Sequence, residues 1–399
     1  MVLTTTFPRW EDDQTPGFVY DLSKRLRGEG FEIVILAPHH YGAKINEEMD
    51  HMMVYRFPYF YPTRYQKLCY EGGILPNIKR SYLAKIQVPF LIVAELYNII
   101  KLIKQQKIDI IHSHWIVPSG LLGCIVSKIT GLPHITTAHA GDVFTIEHSN
   151  YLKVIGKFIL KNSDKITVNS TFTKNSALNI YRNLNSSKIE IIPMGVDTSI
   201  FCPKNKTEIT HKSEYIIFSV GRLVEKKGIE YLIKAIPFVL NKLHNVRLVI
   251  GGSGPLENDL KKLVVNLNLS TSVIFTGYIK NLDLPKYYAS SDVFVLPSIK
   301  TAGGDTEGLG VVLLEAMACG LPVIGSNLGG ITDIIENGKN GFLVEDKNPE
   351  DIADKIIKLL SNERLRQRFS EEGLKIVNEV FSWDVVTEKF KINIMRLLI

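Results

Sequence analysis

The stretch Asp305–Gly320, DTEGLGVVLLEAMACG, places two carboxylates and two glycines around the start of an apolar helical pattern. Gly308 and Gly310 allow a ligand to approach the backbone closely. The first turn of a helix offers unpaired N–H groups and a partial positive charge, which suit a phosphate. Glu307 lies in the loop. Glu315 sits inside Val311–Ala318, where a carboxylate is costly unless it is hydrogen-bonded. A sugar's vicinal hydroxyls would supply those bonds, and so would a nearby lysine or backbone group.

Two more loops suit the same kind of ligand. Gly221-Arg222-Leu223-Val224-Glu225-Lys226-Lys227-Gly228 directly follows a strand pattern. It sets the planar fork of Arg222 beside the compact ammonium of Lys227, and a diphosphate can use both; a solvated basic turn would read the same way. Gly251-Gly252-Ser253-Gly254-Pro255 looks like half of a dinucleotide fingerprint, but Glu257 stands where the third glycine belongs. Such a match is more often a tight turn. In the first half of the chain, Thr136-Thr137-Ala138-His139-Ala140-Gly141-Asp142 brings an imidazole and a carboxylate to the end of a strand. His112 and His114 end another strand beside Trp115, where lining a site and packing are equally good readings.

These residues need a scaffold of strands and helices in alternation. The pattern begins with strand Met1–Thr6, a polar loop over Pro8–Pro16, helix Phe18–Arg27 and strand Phe31–Pro38. It is irregular over 55–107, apart from a basic, apolar helix near Phe90–Gln105. It resumes with strand Ile108–Trp115, a helix near Ser119–Thr130, strand His134–His139, helix Tyr151–Asn162 and strands Lys165–Asn169 and Ile189–Pro193. Pro203–Glu214, PKNKTEITHKSE, reads as a linker. Beyond it come strand Tyr215–Val220, helix Ile229–Leu240, strand Arg247–Ile250, helix Leu256–Leu267, strand Val273–Thr276, strand Asp292–Pro297 and strand Pro322–Gly325. Period-2 and period-3.6 segments in strict alternation predict α/β domains with parallel sheets. The expected organisation is two Rossmann-like doubly wound domains facing a cleft, over residues 1–205 and 206–381, with a last helix, 382–399, packing back on the first.

A chain of 399 residues with 45% apolar residues can bury two cores. The net charge of +6 is too small to indicate nucleic acid. It is uneven, however: Tyr55–Lys107 carries nine Lys and Arg (Arg56, Arg64, Lys67, Lys79, Arg80, Lys85, Lys101, Lys104, Lys107) against Glu71 and Glu95. That segment is expected to present a surface for anions, with an anionic membrane as one candidate. Its apolar run Ile86–Ile103 is interrupted by Gln87, Pro89, Glu95, Asn98 and Lys101, which argues against a membrane-spanning helix. Four dispersed cysteines and the lack of a leader-like start fit a cytoplasmic protein, peripheral on the membrane where it touches one.

In this order the loops resemble the retaining nucleotide-sugar glycosyltransferases of family 4, which have the two-domain GT-B fold. The resemblance rests on Gly221-Arg222-Leu223 with Lys227-Gly228, Gly252-Ser253-Gly254-Pro255, Glu307-Gly308-Leu309-Gly310 with Glu315, and Gly320-Leu321-Pro322-Val323-Ile324. Weaker echoes lie at Ile192–Asp197, Asn337–Val344 and Phe381-Ser382-Trp383. It implies that Arg222 and Lys227 neutralise the donor diphosphate, that Glu315 binds the ribose, and that Glu307 contacts the transferred sugar. Gly254, Gly308, Leu309, Gly310 and Val311 would line the donor site, with Tyr278 beside the base. His139 and Asp142 would serve the transfer, and Gly17 and His114 the acceptor side. The acceptor would be a hydroxyl of a glycan, glycolipid or lipid-linked molecule; no cofactor or metal ion is implied. One departure stands out: the family's glycine pair before the first helix falls on Asp13 and Gln14. The other readings are a non-catalytic nucleotide-sugar-binding subunit and a dinucleotide oxidoreductase; the missing third glycine counts against the latter.

Overall fold

The computed structural model describes residues 1–10, 13, 17–203 and 214–399. Gln14 and most of the stretch read as a linker, 204–213, lie outside the described residues, as does part of the Pro8–Pro16 loop. The chain divides into two compact units, Met1–Ile192 with Thr387–Ile399, and Pro193–Val386.

The second unit is built on β9 (Tyr215–Val220), β10 (Val246–Gly251), β11 (Val273–Gly277), β12 (Val293–Leu296), β13 (Val323–Ser326) and β14 (Gly341–Val344). These labels count eight strands of the first unit, described below. All neighbours are parallel, in the spatial order β11-β10-β9-β12-β13-β14. Counted within the unit this is 3-2-1-4-5-6, the doubly wound order, whose direction of growth reverses between its first and fourth strands. The strands read as continuous apolar runs because both faces are covered. Adjacent residues feed opposite cores: Ile217, Val293 and Val295 pack with Leu232, Ile236 and Ile356. Phe218, Phe294 and Leu296 pack with Leu313, Met317 and Tyr288 on the other face. Helix Ile229–Leu240 buries Leu232, Ile233, Ala235, Ile236 and Val239, the stripe expected of an amphipathic helix. Each of its leucine, isoleucine and valine side chains contributes about 1.5–3 kcal/mol when fully buried.

The first unit holds β1 (Val2–Leu3), β2 (Val34–Pro38), β3 (Asn46–Met49), β4 (Met52–Phe57), β5 (Ile111–His114), β6 (His134–Ala138), β7 (Lys165–Val168) and β8 (Ile189–Ile191). Their order is β3-β4-β2-β1-β5-β6-β7-β8. The only antiparallel pair among the described strands is β3 with β4, a hairpin that the sequence pattern did not announce. The remaining seven strands repeat the doubly wound order, and the reversal falls between β1 and β5. Among the described residues of this unit three α-helices exceed those expected, Ile74–Arg80, Ala140–Glu147 and Thr171–Ile180, and the last two complete the alternation.

The units divide at Ile192/Pro193, earlier than the expected boundary at 205. The reason is local: the Val196 N–H donates to Phe381 O at 2.9 Å, and the Trp383 N–H donates to Val196 O at 3.2 Å. A Cβ on Gly195 would lie 2.4 Å from the Trp383 ring. The terminal helix, Trp383–Leu398, belongs to the first unit from Thr387 onwards. There Lys391 pairs with Glu29 at 2.7 Å and Phe390 packs 5.6 Å from the His112 ring.

Candidate active site

In a doubly wound sheet the loops after the two strands at the reversal point splay apart and leave a crevice at their C-terminal ends. In the second unit those loops follow β9 and β12. They bring together residues that are 80 positions apart. Lys227 Nζ donates to Glu307 Oε2 at 2.6 Å, and Ser298 Oγ donates to the same oxygen at 3.3 Å. Both charged side chains are largely buried, 15% and 13% exposed. Burial alone would raise the Glu307 pKa; the Lys227 ammonium, with Lys226 and the Ser298 hydroxyl, more than offsets it and holds the group below the usual carboxylate range. Arg222 is exposed, with no side-chain partner among the described residues.

Backbone packing fixes this geometry. Gly228 turns into helix Ile229–Leu240 with φ +63°, and a Cβ there would lie 1.9 Å from Pro297 O. Gly254 sits against the basic loop, where a Cβ would meet Leu223 O at 2.4 Å and Leu223 N at 2.7 Å. The second loop therefore seats the first, and Leu223 N–H donates to Ser253 O at 3.0 Å. Behind Glu307, Gly330 N–H donates to its carbonyl at 3.0 Å. Gly308 and Val311 are half-buried, while Leu309 and Gly310 are buried. The helix itself is Val311–Ala318, with Gly310 as its N-cap. Glu315 is half-buried and accepts a 2.7 Å hydrogen bond from Tyr288 Oη. Burial raises its pKa, against the lowering by Tyr288 and Lys227. Tyr278 is 49% exposed beyond β11.

In the first unit the loops at the reversal follow β1 and β5, and the loop after β6 adjoins the latter. His139 Nε2 lies 3.4 Å from His114 Nδ1, and the two rings stack. Phe18 and Trp115 each pack with ring centroids 4.9 Å from His139. Gly17, at the N-cap of helix Phe18–Gly28, is the residue before Phe18. Burial lowers the His139 pKa to about 3, so the imidazole is neutral at physiological pH. His114 is lowered well below its ordinary value by burial and by the adjacent histidines, and its Nε2 is buried without a partner. His112 lies on the same face of β5 as His114, with ring centroids 4.4 Å apart, and its Nε2 is 2.7 Å from Thr137 Oγ1.

Asp142 does something the sequence did not indicate. Its Oδ2 accepts from Ile116 N–H at 2.6 Å and its Oδ1 from Val143 N–H at 2.8 Å. The Oδ2 bond thus holds the turn in which Trp115 adopts φ +66°, while the Oδ1 bond stays within the first turn of Asp142's own helix, Ala140–Glu147. Burial pushes the carboxyl up to about 7 despite those donors. The contacts make Asp142 the anchor of the Trp115–His139 cluster. Asp13, one of the two residues in place of the glycine pair, is bound by Arg9 at 2.7 Å. Tyr288, Ser298, Phe18 and the Gly329-Gly330 turn are the parts that sequence reasoning missed. Only tertiary contact identifies them. Among the described residues, no group of three or more His, Cys, Asp and Glu side chains is placed to hold a metal ion.

Residues 18–200 match the family model described as Glycosyltransferase Family 4, and residues 203–376 the one described as Glycosyl transferases group 1. An uncharacterised glycosyltransferase of Methanocaldococcus jannaschii is 32% identical over 80% of this chain and 84% of its own length. A UDP-Gal:alpha-D-GlcNAc-diphosphoundecaprenol alpha-1,3-galactosyltransferase of Escherichia coli is 29% identical over 78% and 84%. Among solved structures, sucrose-phosphate synthase of Thermosynechococcus elongatus superposes with a TM-score of 0.79 at 22% identity, covering 100% of this chain and 99% of that one, which makes the fold alike.

Proposed function

Since the chain belongs to the group 1, family 4 glycosyltransferases, we propose that it moves a hexosyl group from a UDP- or GDP-sugar to a hydroxyl of a glycan, glycolipid or lipid-linked acceptor, with retention at the anomeric carbon. The observation that carries this reading is the Lys227–Glu307 pair at the reversal point of the second sheet. In the reaction the bond from C1 to the diphosphate oxygen breaks, a bond from C1 to the acceptor oxygen forms, and the acceptor O–H bond breaks with its proton passing to the departing diphosphate. Negative charge then grows on the leaving nucleoside diphosphate. Lys227, Arg222 and the start of helix Val311–Ala318 supply fixed positive charge and N–H dipoles for it. Such preorganised donors stabilise a transition state more than a ground state. Glu307, ionised and held by Lys227, accepts from hydroxyls of the transferred sugar, and Glu315 from the ribose.

On the acceptor side, neutral His139 offers a hydrogen bond to the donor sugar or to the incoming hydroxyl, and Asp142 keeps it in place through Trp115. The lipid-linked acceptor of the E. coli relative supports the acceptor class. The reaction is proposed to need no metal ion and to take place at the cytoplasmic face of the cell membrane.

The test is transfer from a panel of UDP- and GDP-hexoses to lipid-linked and soluble glycan acceptors, with chelator present, and the product anomer read by proton NMR. An α-linked product from an α-donor is expected. An inverted product would refute retention. Binding of the donor with no transfer or hydrolysis would instead leave a nucleotide-sugar-binding subunit.

A further inference from the structure

One face of the first unit is apolar and basic, and it lies outside the site described above. The helix Tyr82–Gln105 is 24 residues long, extending well before the expected start at Phe90 and running through Pro89. By length and composition alone it could cross a bilayer. Its inner side prevents that reading. Ala84, Leu91, Ile99 and Leu102 belong to the core of the unit. Gln87 Nε2 donates to Tyr65 O at 2.6 Å, and Gln87 Oε1 accepts from Lys67 N–H at 2.9 Å. Glu95 is buried beside Ser119, and burial raises its pKa to about 7.

The outer side is unusual. Tyr82, Ile86, Phe90, Val93, Tyr97 and Ile100 recur at intervals of three and four, and each is 40–77% exposed. They form one continuous stripe on the helix. A soluble surface scatters such residues singly, whereas a contiguous patch marks an interaction site.

Two neighbouring helices extend this layer. Leu121–Thr130 packs against Tyr82–Gln105 on one side and against Asn150–Asn162 on the other. Asn150–Asn162 exposes Tyr151, Val154 and Phe158, and Ile129 at the end of the middle helix is 75% exposed. Beside these run Lys153, Lys157 and Lys161 at intervals of four, and Lys128 lies over the Phe158 ring. With Lys85, Lys101 and Lys104 the three helices carry seven lysines and a single carboxylate, the buried Glu95. The cationic surface is thus wider than the 55–107 segment expected from sequence. It also excludes one member of that segment: Arg56 is 1% exposed and paired with Glu47 at 2.5 Å.

We propose that this three-helix face docks on an anionic lipid bilayer. Its chemistry matches an interfacial helix layer: apolar and tyrosine side chains enter the boundary of headgroups and acyl chains, and lysines on long stems reach the anionic headgroups. The charge pattern selects this occupant. A second copy of the same face would set seven lysines against seven others with no exposed carboxylate to answer them, and a nucleic acid would leave the apolar stripe in water. The inference deepens the proposed function by placing a lipid-linked acceptor on the surface that the enzyme binds. It is tested without sugar transfer, so its failure is separable from failure of that reading.

The experiment is co-sedimentation of the full chain with vesicles of phosphatidylcholine alone or with phosphatidylglycerol added. Preferential binding to the phosphatidylglycerol vesicles is expected, weakening with added salt. The triple variant Lys153→Gln, Lys157→Gln, Lys161→Gln should weaken binding on the order of 100-fold, from the loss of three surface cations. Val93→Asp with Tyr97→Asp, both at exposed positions, should abolish it while circular dichroism and the melting temperature stay unchanged. Equal sedimentation with both vesicle types would overturn the proposal. So would a dimer in analytical ultracentrifugation that Val93→Asp with Tyr97→Asp dissociates.

Discussion

Replacing Lys227 with Met removes the ammonium while keeping most of the side-chain volume. The consequences follow from the 2.6 Å pair with Glu307. Removing one partner of a fully buried ion pair costs about 3–5 kcal/mol, and an exposed pair contributes roughly 0–1 kcal/mol. With both side chains about one-seventh exposed, about 2 kcal/mol is the reasonable figure at neutral pH. For a domain of this size that lowers Tm by roughly 4–8 °C. The pH dependence is the sharper signature. In the wild type the folded-state pKa of Glu307 is depressed, so the pair's contribution is present above the unfolded carboxylate value, about 4.3. It is lost as pH falls through the lower folded value. In the variant only Lys226 and the Ser298 hydroxyl still oppose burial, so the Glu307 pKa rises above its wild-type position and the protonated form is better tolerated. The Tm difference between the two proteins should therefore be largest near pH 7 and shrink as pH drops to 4 and below. Scanning calorimetry at a series of pH values measures this directly. A Tm difference that is constant from pH 7 to pH 4, or absent at pH 7, would show that the pair does not hold the loop as described.

Other consequences are as specific. Gly254→Ala brings a Cβ to 2.4 Å from the Leu223 carbonyl; the cost should be about 1–3 kcal/mol, with weaker nucleotide affinity, both readable by thermal melts with and without UDP or GDP. His139, lowered to about 3 by burial, should stay neutral from pH 8 to pH 5 in nitrogen-detected histidine NMR, and a titration near its ordinary value would contradict the packing with Phe18 and Trp115. Asp142→Asn turns one acceptor into a donor facing a backbone N–H; the expected loss is about 1–3 kcal/mol, together with a change in Trp115 fluorescence that Asp142→Glu partly restores. His139→Ala should cut transfer by at least about 100-fold without altering donor affinity by more than a few-fold, as read from separate turnover and binding measurements.

Five of the six strands described in the second unit were legible because each is a short apolar run between polar or glycine-rich loops, and β9 was placed residue for residue; β14 was not read as a strand. The donor-side residues were legible because the glycines around them mark the strand-to-helix turns. Other features were not. The strand Asn46–Met49 is NEEM, polar and on the sheet edge, and no apolar alternation marks it. Pro89 looked like a break in the long helix, yet it and Lys85, whose carbonyl it leaves without a helical N–H, are both exposed residues on the solvent side. The seven lysines became one surface only when three helices from separate parts of the chain were laid side by side. Asp142 and Glu315 each bond a group 26 or 27 positions away, Ile116 and Tyr288. Nothing in the spacing of either carboxylate announces such a partner, so anchoring and ligand binding read alike in the sequence.

The account rests most on the claim that Arg222 and Lys227 hold the donor's diphosphate. Titration calorimetry of UDP and GDP against the wild type and the variant Arg222→Ala, Lys227→Ala tests it most directly. The wild type should bind one of the two nucleotides, and the variant should bind it on the order of 100-fold more weakly while remaining folded, two charge-assisted contacts having been removed. Equal affinity in the two proteins would contradict the claim.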